Sequence, residues 1–362
     1  INIPMSSKKI LHCTRLYTII KILLKSNKQY WEGNRMASTL TVKDMNQEIV
    51  RDCMKGLGPV SKSVLSRKTG LSFPTVSKTV DLLCETGEVE EAGTEKSGGG
   101  RCAALYRLNP VFSLYLLLTV ENDTIHWSLK DLEGNSLKEE TSEENFPILT
   151  AMEAKVESIR TQFPCLKGIV IGAAGMVSGG KVVLTAGGSE LTGVNLQEHF
   201  SRKFGIPVRA VNDMNAVAAG RWSLAGRSDG CCVCIYLGKN GMGAGIVING
   251  KVWQGASDFA GELGFLPDMP GKLRPADKNF APSRMLEIYC KIIQIYASVL
   301  NPERVVLYRN PFLDGALEEL YRECEKVIPE HSMPLLEISD SYETDYEQGL
   351  LVIANMLKER DI

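Results

Sequence analysis

Apolar residues near the start of the chain recur with the three-to-four-residue period of amphipathic helices. Residues 43–56, 61–69 and 73–86 each show this spacing, and glycines end the first and the third of these segments. Pro74 suits the first turn of the third segment, where its missing N–H leaves no helical hydrogen bond unmade. The pattern therefore predicts three short helices in quick succession.

Two short strand-like runs follow the third helix. They are EVEEAG at 88–93 and AALYRLNP at 103–110, and the glycine-rich stretch TEKSGGGRC joins them. Three short helices followed by a hairpin with a glycine-rich tip are the outline of a winged helix-turn-helix. We therefore predict such a domain over residues 36–109.

The pattern changes at Phe112, beyond which strand-like runs dominate and then alternate with helical segments. Helical spacing marks residues 150–162, 195–204 and 284–300. Strands that first follow one another and then alternate with helices predict an α/β domain, which we place over residues 110–362. The strand-like runs are LYLLLTV, HWSLKDL, GIVIGAAG, KVVLT, VRAVND, CCVCIYLG and GAGIVING.

The first 35 residues fit neither domain. They are basic and begin with Ile1, whereas Met36 opens a segment that resembles an ordinary N-terminus. We expect residues 1–35 to be an extension that is not native to the protein. The alternative is a basic helix on a membrane surface.

Composition narrows the class of protein. A formal net charge of −2 argues against a protein that coats nucleic acid with its whole surface, although it permits a local basic face. The ten cysteines form no CxxC pair and no regular framework, which favours a reducing compartment, the cytoplasm. No run reaches the ~18 apolar residues that a bilayer span requires, so no membrane partner is expected.

The segment between the second and third predicted helices is locally basic. All charged residues within 61–80 are Lys or Arg. Short polar side chains at the start of a recognition helix suit base edges and phosphates, and basic residues beside hairpin glycines suit a narrow minor groove. The alternative is a small helical domain with a solvated charged face. The predicted DNA contacts are Ser72, Thr75, Ser77, Lys78, Lys96 and Arg101.

A polar pair interrupts the α/β segment at residues 210–220, AVNDMNAVAAG. Asn212 and Asp213 follow a strand-like run and precede a helix of small residues. This position leaves three roles open for Asp213: a catalytic base, an acceptor for a ligand, or a helix N-cap.

These segments together resemble the ROK family (repressors, open reading frames, sugar kinases), in particular its transcriptional regulators of the xylose-repressor and N-acetylglucosamine-repressor type. The resemblance covers Met36 to the C-terminus. It implies a two-lobed, actin-like (ribonuclease-H-like) fold that binds a sugar between its lobes, and a homodimer or homotetramer on palindromic operator DNA. It rests on VSKSVLSRKTGLSFPTVSKTVDLLCETG, SGGGR, GIVIGAAGMV, FGIPVRAVNDMNAVAAG, GAGIVINGKVWQGASDFAGELG and NPERVVL.

Two of the three elements that hold a nucleotide in kinases of this family are missing. In the family pattern DxGxT, Val120 replaces the Asp, Asn122 replaces the Gly, and Asp123 places negative charge beside the phosphates. A glycine pair is replaced at 308–309 by Tyr-Arg, although the turn at 238–245 keeps its glycines. Because phosphoryl transfer depends on positioning and charge neutralisation, we expect no enzyme activity, no catalytic residue and no cofactor.

The resemblance also assigns sugar ligands. In the family motif GExGH, Glu262 keeps the sugar-binding Glu, while Phe265 replaces the zinc-ligating His. Residues 266–287 contain no Cys, so we expect no metal site. Glu287 is considered as the counterpart of the family's second sugar-binding Glu. The alternative interpretation of Glu262 is an ordinary surface residue. The predicted sugar-binding residues are Asn212, Asp213, Glu262, Gly175 and Glu190.

The resulting hypothesis is a DNA-binding regulator of carbohydrate genes, most simply a repressor, whose effector is a sugar or sugar derivative. One alternative is a ROK-type kinase that phosphorylates a hexose with Asp213 as base. Another is a constitutive regulator with a vestigial cleft. The sequence identifies neither the sugar, the operator nor the target genes.

Overall fold

The structure is a computed structural model, and its chain divides between Asn109 and Pro110 into two compact units. No helix among the described residues is long and apolar enough to cross a membrane. The described residues are 42–55, 57–95, 102–121, 124–131, 134–143, 147–185, 189–239, 241–267 and 281–358.

The first unit combines three helices with a small antiparallel sheet of order β1-β3-β2. Val50, Leu65, Val76 and Val80 form the centre of its core, because the helical spacing of apolar residues brings these side chains to one side. The helices agree with the predicted segments to within two residues at each end. The elements are α1 (Val42–Met54), β1 (Val60–Ser61), α2 (Lys62–Thr69), α3 (Phe73–Glu85), β2 (Val89–Glu95) and β3 (Ala103–Leu108).

The second unit contains two five-stranded sheets, each belonging to one lobe. The order in the first lobe is β10-β7-β4-β5-β6, and the order in the second lobe is β13-β12-β11-β14-β15. The first-lobe elements are β4 (Leu114–Glu121), β5 (Thr124–Lys130), β6 (Ser136–Glu143), α4 (Ile148–Gln162), β7 (Leu166–Ala173), the ribbon β8 (Met176–Ser178) and β9 (Lys181–Leu184), α5 (Leu196–Phe204) and β10 (Val208–Asn212). Next come α6 (Asp213–Ala225), β11 (Cys231–Gly238), β12 (Gly241–Ile248), β13 (Lys251–Val252), α7 (Pro282–Val299), β14 (Arg304–Tyr308), α8 (Leu317–Glu325), β15 (Leu335–Ser339) and α9 (Tyr342–Lys358).

The central strands of each sheet are buried on both faces. In β4, Leu116 and Leu118 point to the outer core under α4 and α5, whereas Tyr115 and Leu117 point to the inner core. The second sheet behaves in the same way beneath α7 and α8. Burial on both faces explains why these strands have almost continuous apolar sequences.

Two helices, α6 and α9, lie between the inner faces of the two sheets. The inner core joins Val170 of the first sheet, Val306 of the second, Ala216 of α6 and Leu350 of α9. The layers are therefore outer helices, first sheet, α6 with α9, second sheet, and outer helices. The N-terminus of α6 lies at the end of β10, and this arrangement positions Asn212 and Asp213.

Candidate functional site

Asn212 is the N-cap of α6 and fixes the geometry of the polar pair. Its Oδ1 accepts a hydrogen bond from the Asn215 amide at 2.9 Å. Its Nδ2 donates to the Gly175 carbonyl at 2.8 Å and to Oδ1 of Asp213 at 2.9 Å. The structure thus brings Asn212, Asp213 and Gly175 together, and the capping role considered for Asp213 belongs to Asn212.

Asp213 is a partly buried carboxylate in a negatively charged environment. Loss of solvent is the main reason that its pKa rises to about 7, and the charges of Glu121 and Glu262 raise the pKa further. A hydrogen bond from the Met214 amide to Oδ1, at 2.8 Å, acts in the opposite direction. Burial makes the charged form of this carboxylate unfavourable, and the side chain lines a cavity. Such a carboxylate is typical of a site that accepts hydrogen bonds from a ligand.

Glu262 lies close enough to Asp213 for its charge to raise the pKa of that carboxylate, and burial raises the pKa of Glu262 itself. It precedes a short 3₁₀ turn, Leu263–Phe265. Phe265 is 59% exposed and meets Phe259 edge to face at 5.1 Å between ring centroids. Among the described residues, no group of three or more His, Cys, Asp or Glu could hold a metal ion.

Position 175 accommodates only glycine. Its φ is 108°, and an added Cβ would lie 2.3 Å from the Leu184 carbonyl oxygen. Any other residue here would separate the Gly175 backbone from the β8–β9 ribbon and would displace the acceptor of Asn212. The glycine therefore acts through its backbone carbonyl.

The other two carboxylates considered as sugar ligands, Glu190 and Glu287, contact residues outside the polar pair. Glu190 is exposed and accepts a hydrogen bond from the Leu149 amide at 2.8 Å, at the start of α4. Glu287 is exposed on α7 and pairs with Arg284 at 2.5 Å and with Lys291 at 3.1 Å. Neither residue contacts the Asn212–Asp213 pair in these interactions.

Beside Asp213, a cavity of about 540 Å³ lies where the resemblance would place the phosphates of a nucleotide. The walls come from the ends of β4 and β5 and from the first turns of α9. Its acidic residues outnumber its lysine, Lys239, and His126 also lines it. The acidic residues lining it are Glu121, Glu139, Asp213, Glu343 and Glu347.

A group of tyrosines occupies the space next to this cavity. Tyr342 stacks on Tyr236, with 3.9 Å between ring centroids, and meets Tyr308 edge to face at 5.4 Å. Tyr308 is 1% exposed, and its hydroxyl donates to Asp345 at 2.6 Å. The bulk predicted at 308 is therefore part of a packed core beneath α9.

Sequence reasoning did not include α9 in the site. The signal lies in SYETDYEQ, where Tyr342 and Tyr346 are four residues apart, as are Glu343 and Glu347. This spacing places the members of each pair one above the other on a helix. Nothing in the local sequence indicates that the helix returns to the end of β4.

In the first unit, the predicted DNA contacts lie at the start of α3. Ser72 caps the helix by accepting a hydrogen bond from the Thr75 amide at 3.3 Å, and its hydroxyl lies 2.8 Å from Oγ1 of Thr75. Ser77 accepts from Lys62 at 3.2 Å, while Lys78 is exposed. Phe73, 52% exposed, is a neighbour that sequence reasoning missed. Lys96 and Arg101 lie outside the described residues, as do Asn122 and Asp123.

Curated relatives include regulators and, over a shorter match, kinases. The chain is 29% identical over 240 residues to the xylose repressor of Bacillus subtilis (strain 168), covering 64% of this chain and 62% of the relative. It is 30% identical over 243 residues to the xylose repressor of Caldicellulosiruptor bescii, covering 63% and 60%. The glucokinase of Streptomyces coelicolor is 32% identical over 175 residues, covering 44% and 54%. The matches thus span about three fifths of the length of the curated repressors.

Solved structures of both kinds share the fold. A ROK family transcriptional regulator, described as a homologue of an E. coli protein, superposes with a TM-score of 0.60 at 19% identity, over 87% of this chain and 96% of that one. A ROK family glucokinase from Streptomyces griseus, in complex with glucose and AMPPNP, gives 0.52 at 17% identity, over 67% and 99%. Residues 120–273 match the ROK family itself. Residues 120–273 thus resemble the ROK family, within an α/β fold shared with sugar kinases.

Proposed function

We propose that this protein is a sugar-responsive transcriptional repressor that binds operator DNA through its first unit and a sugar through its second. Its named relatives of similar extent are xylose repressors, so xylose is the first effector to test. The observation that carries the proposal is the polar pair at the start of α6, beside a cavity whose described walls bear more carboxylates than lysines.

The sugar ligands proposed are Asn212, Asp213, Glu262 and the backbone of Gly175. Carboxylates accept hydrogen bonds from sugar hydroxyls, and amides both accept and donate. The cost of ionising Asp213 is offset when a hydroxyl donates to it, since hydrogen bonds to charged groups are the stronger ones. Glu190 stays a candidate sugar ligand, and its carboxylate would have to give up its bond to the Leu149 amide to accept from a sugar with that oxygen.

The acidic cavity argues against ATP. A triphosphate would meet Glu121 and Glu343, with Lys239 on the same wall. Carboxylates at this position repel the charge that a kinase has to neutralise. Tyr342 and Tyr308 are packed against one another, so they fill the space in which the family's glycine pair would admit a nucleotide.

The first unit supports the DNA-binding part of the proposal. Three helices, a sharp turn at Gly70 (φ 74°) between α2 and α3, and a β2–β3 hairpin follow the order of a winged helix-turn-helix. In this reading α3 enters the major groove, and Lys96 and Arg101 belong to the wing. A homodimer or homotetramer would present paired α3 helices to a palindromic operator in the cytoplasm.

Sugar binding would act through the two lobes. The ligand contacts the start of α6, and α6 packs against both sheets. A ligand that favours one arrangement of the lobes shifts the population towards it and changes the spacing of the paired DNA-binding units.

The proposal is tested by measuring binding of the full chain to DNA from the region upstream of its own gene. We expect specific binding that weakens when xylose or another sugar is added. Absence of specific binding at low salt, with and without a panel of sugars, contradicts the DNA-binding proposal. DNA binding that no sugar alters, together with no sugar-dependent rise in melting temperature, supports the vestigial-cleft alternative instead.

Lys78→Ala is expected to weaken operator binding about five- to tenfold, because the side chain is exposed at the start of α3 and would lose one phosphate contact. The slope of log affinity against log salt is expected to fall by about 1. Lys326→Ala, an exposed lysine directly after α8, is the matched control and should leave both quantities unchanged. Equal affinity and slope for Lys78→Ala and the wild type would remove α3 from the interface.

The kinase alternative is kept because Asp213 occupies the position of the family's catalytic base. We expect no ADP release above background from a panel of hexoses with Mg²⁺ and ATP, since the acidic cavity repels the phosphates. Turnover that Asp213→Asn abolishes would reverse this assignment. A glucokinase run in the same coupled assay shows that the assay detects activity.

A further inference from the structure

A second cavity, of about 760 Å³, lies in the second unit; Val211 and Asn215 line it, whereas Asn212 and Asp213 do not. We name it the edge cavity because its walls include β10 and β13, the edge strands of the two sheets. The other walls come from α6, the last turns of α9, the β8–β9 ribbon, α5 and the segment that follows β13. Its volume is in the range of sites that bind small organic molecules.

The walls of the edge cavity are mostly apolar. Trp222, Val211, Val252, Ile353 and Leu357 line it, and Trp222 is 8% exposed. Polar side chains, among them Gln197, Ser201 and Gln254, line the rest of the wall. The apolar portion suits a flat or branched apolar body.

One wall residue has an unsatisfied buried oxygen. Asn215 lines the cavity and is 6% exposed, and its Oδ1 accepts no hydrogen bond from a residue that the structure describes. A buried acceptor without a partner costs free energy, and a ligand donor would recover it once the Asn215 amide turns its oxygen, which has almost no accessible surface, towards the cavity. The unpaired oxygen is independent of the shape and apolar character of the cavity.

Two cations lie on the walls without an ion pair to any carboxylate among the described residues. They are Arg209, on β10, and Lys251, on β13. Other surface arginines of the same unit, such as Arg202 and Arg227, do pair with carboxylates. The acidic wall residue Asp258 already accepts a hydrogen bond from Ser178 at 2.7 Å.

We propose that the edge cavity is a binding site for a small organic anion with an apolar body, such as an aromatic carboxylate or sulfonate. The apolar part packs on Trp222, the anionic group meets Arg209 and Lys251, and a donor on the ligand reaches Asn215. A ligand there touches both sheets and both central helices, so it alters the free energy of lobe rearrangement. This site adjoins the proposed sugar ligands through Val211 and Asn215, but the proposal does not depend on sugar binding.

The probe for the test is 8-anilinonaphthalene-1-sulfonate, which combines an apolar body, a sulfonate and an N–H donor. We expect one saturable site per folded chain, with energy transfer from tryptophan to the bound probe. Trp222→Phe should lower that transfer, to which Trp253, between the lining residues Val252 and Gln254, still contributes. Ala219→Leu, which adds a side chain inside the cavity, should abolish binding.

Arg209→Gln keeps the cavity open and is expected to weaken probe binding about tenfold through loss of a charge-assisted contact. Arg202→Gln, an exposed arginine on α5, is the matched control and should bind as the wild type does. Asn215→Leu should weaken binding while raising the melting temperature of the free protein, because the unpaired oxygen is removed. The proposal is overturned if folded Ala219→Leu binds the probe as the wild type does, or if Arg209→Gln and Arg202→Gln have equal affinities.

Discussion

Gly349→Ala is expected to lower the free energy of unfolding of the second unit by about 3 kcal/mol, the upper part of the range for overpacking. An added Cβ on Gly349 would lie 1.8 Å from the carbonyl oxygen of Ala216, on the facing helix α6. The contact joins α9 to backbone, so no side-chain rotation relieves it. The gain of about 1 kcal/mol that alanine brings to a helix does not offset this clash.

Gly220 makes the reciprocal contact, since its added Cβ would lie 1.8 Å from the Asp345 carbonyl oxygen. Two small residues four apart on α6, Ala216 and Gly220, therefore face Asp345 and Gly349 on α9. The close crossing holds the start of α6 where Asn212 and Asp213 meet Gly175. We expect Gly349→Ala to weaken effector binding as well.

Urea unfolding followed by tryptophan fluorescence measures this effect, because Trp127 and Trp222 are buried in the second unit. Gly264→Ala is the matched control: nothing lies within 4 Å of its added Cβ, and a change within about 0.5 kcal/mol is expected. Equal stabilities for Gly349→Ala and Gly264→Ala would mean that α6 and α9 separate without cost.

Most of the fold could be predicted from the sequence because buried strands and amphipathic helices carry strong local signals. CCVCIYLG is confirmed as β11, and VRAVND is confirmed as β10 with its last residue starting α6. β6 has no such signal: Ser136–Glu143 is polar and almost wholly exposed, and it becomes a strand by pairing with β5. Its position at the edge of the sheet is a product of tertiary structure.

The site divides in the same way. Asn212 and Asp213 could be placed at the end of a strand because the strand and the following helix are both local features. The contributions of α9 could not, because Tyr342 and Glu343 reach the end of β4 only through the crossing of α9 with α6. Glu190 shows the converse: a carboxylate in a turn carries no indication that it will bond to the Leu149 amide, far away in sequence.

Asp213→Asn is expected to stabilise the protein at pH 8 by about 2–3 kcal/mol while weakening effector binding by more than tenfold. The pKa of Asp213 is about 7 in the folded protein, against an ordinary value of 3.8. Between these values the folded chain keeps a proton that the unfolded chain releases, so stability falls as the pH rises from about 4 to 7. A shift of this size corresponds to ~4 kcal/mol, which partial solvent access reduces.

Asp213→Asn is expected to stabilise the protein, not destabilise it, because asparagine carries no charge. At pH 4 both forms of the folded protein are neutral at this position, so the variant and the wild type should have similar stabilities. Above pH 7 only the wild type bears a buried charge close to Glu121 and Glu262. Asparagine keeps an oxygen that can accept from the Met214 amide. Because its side chain does not titrate, the fall in stability between pH 4 and 7 should be smaller in the variant.

The measurement of effector affinity shows whether the Asp213 carboxylate binds the effector. A neutral amide is a weaker acceptor than a carboxylate, and the difference of about 1.5–3 kcal/mol for a charged hydrogen bond predicts the loss of affinity. Asp229→Asn, an exposed carboxylate in a surface turn, is the control for both measurements. A more stable variant that still binds the sugar normally would mean that the carboxylate is maintained for something other than the effector. Replacing a functional residue that lowers stability should stabilise the protein. If the variant is instead less stable at pH 8, the ionised carboxylate stabilises the fold.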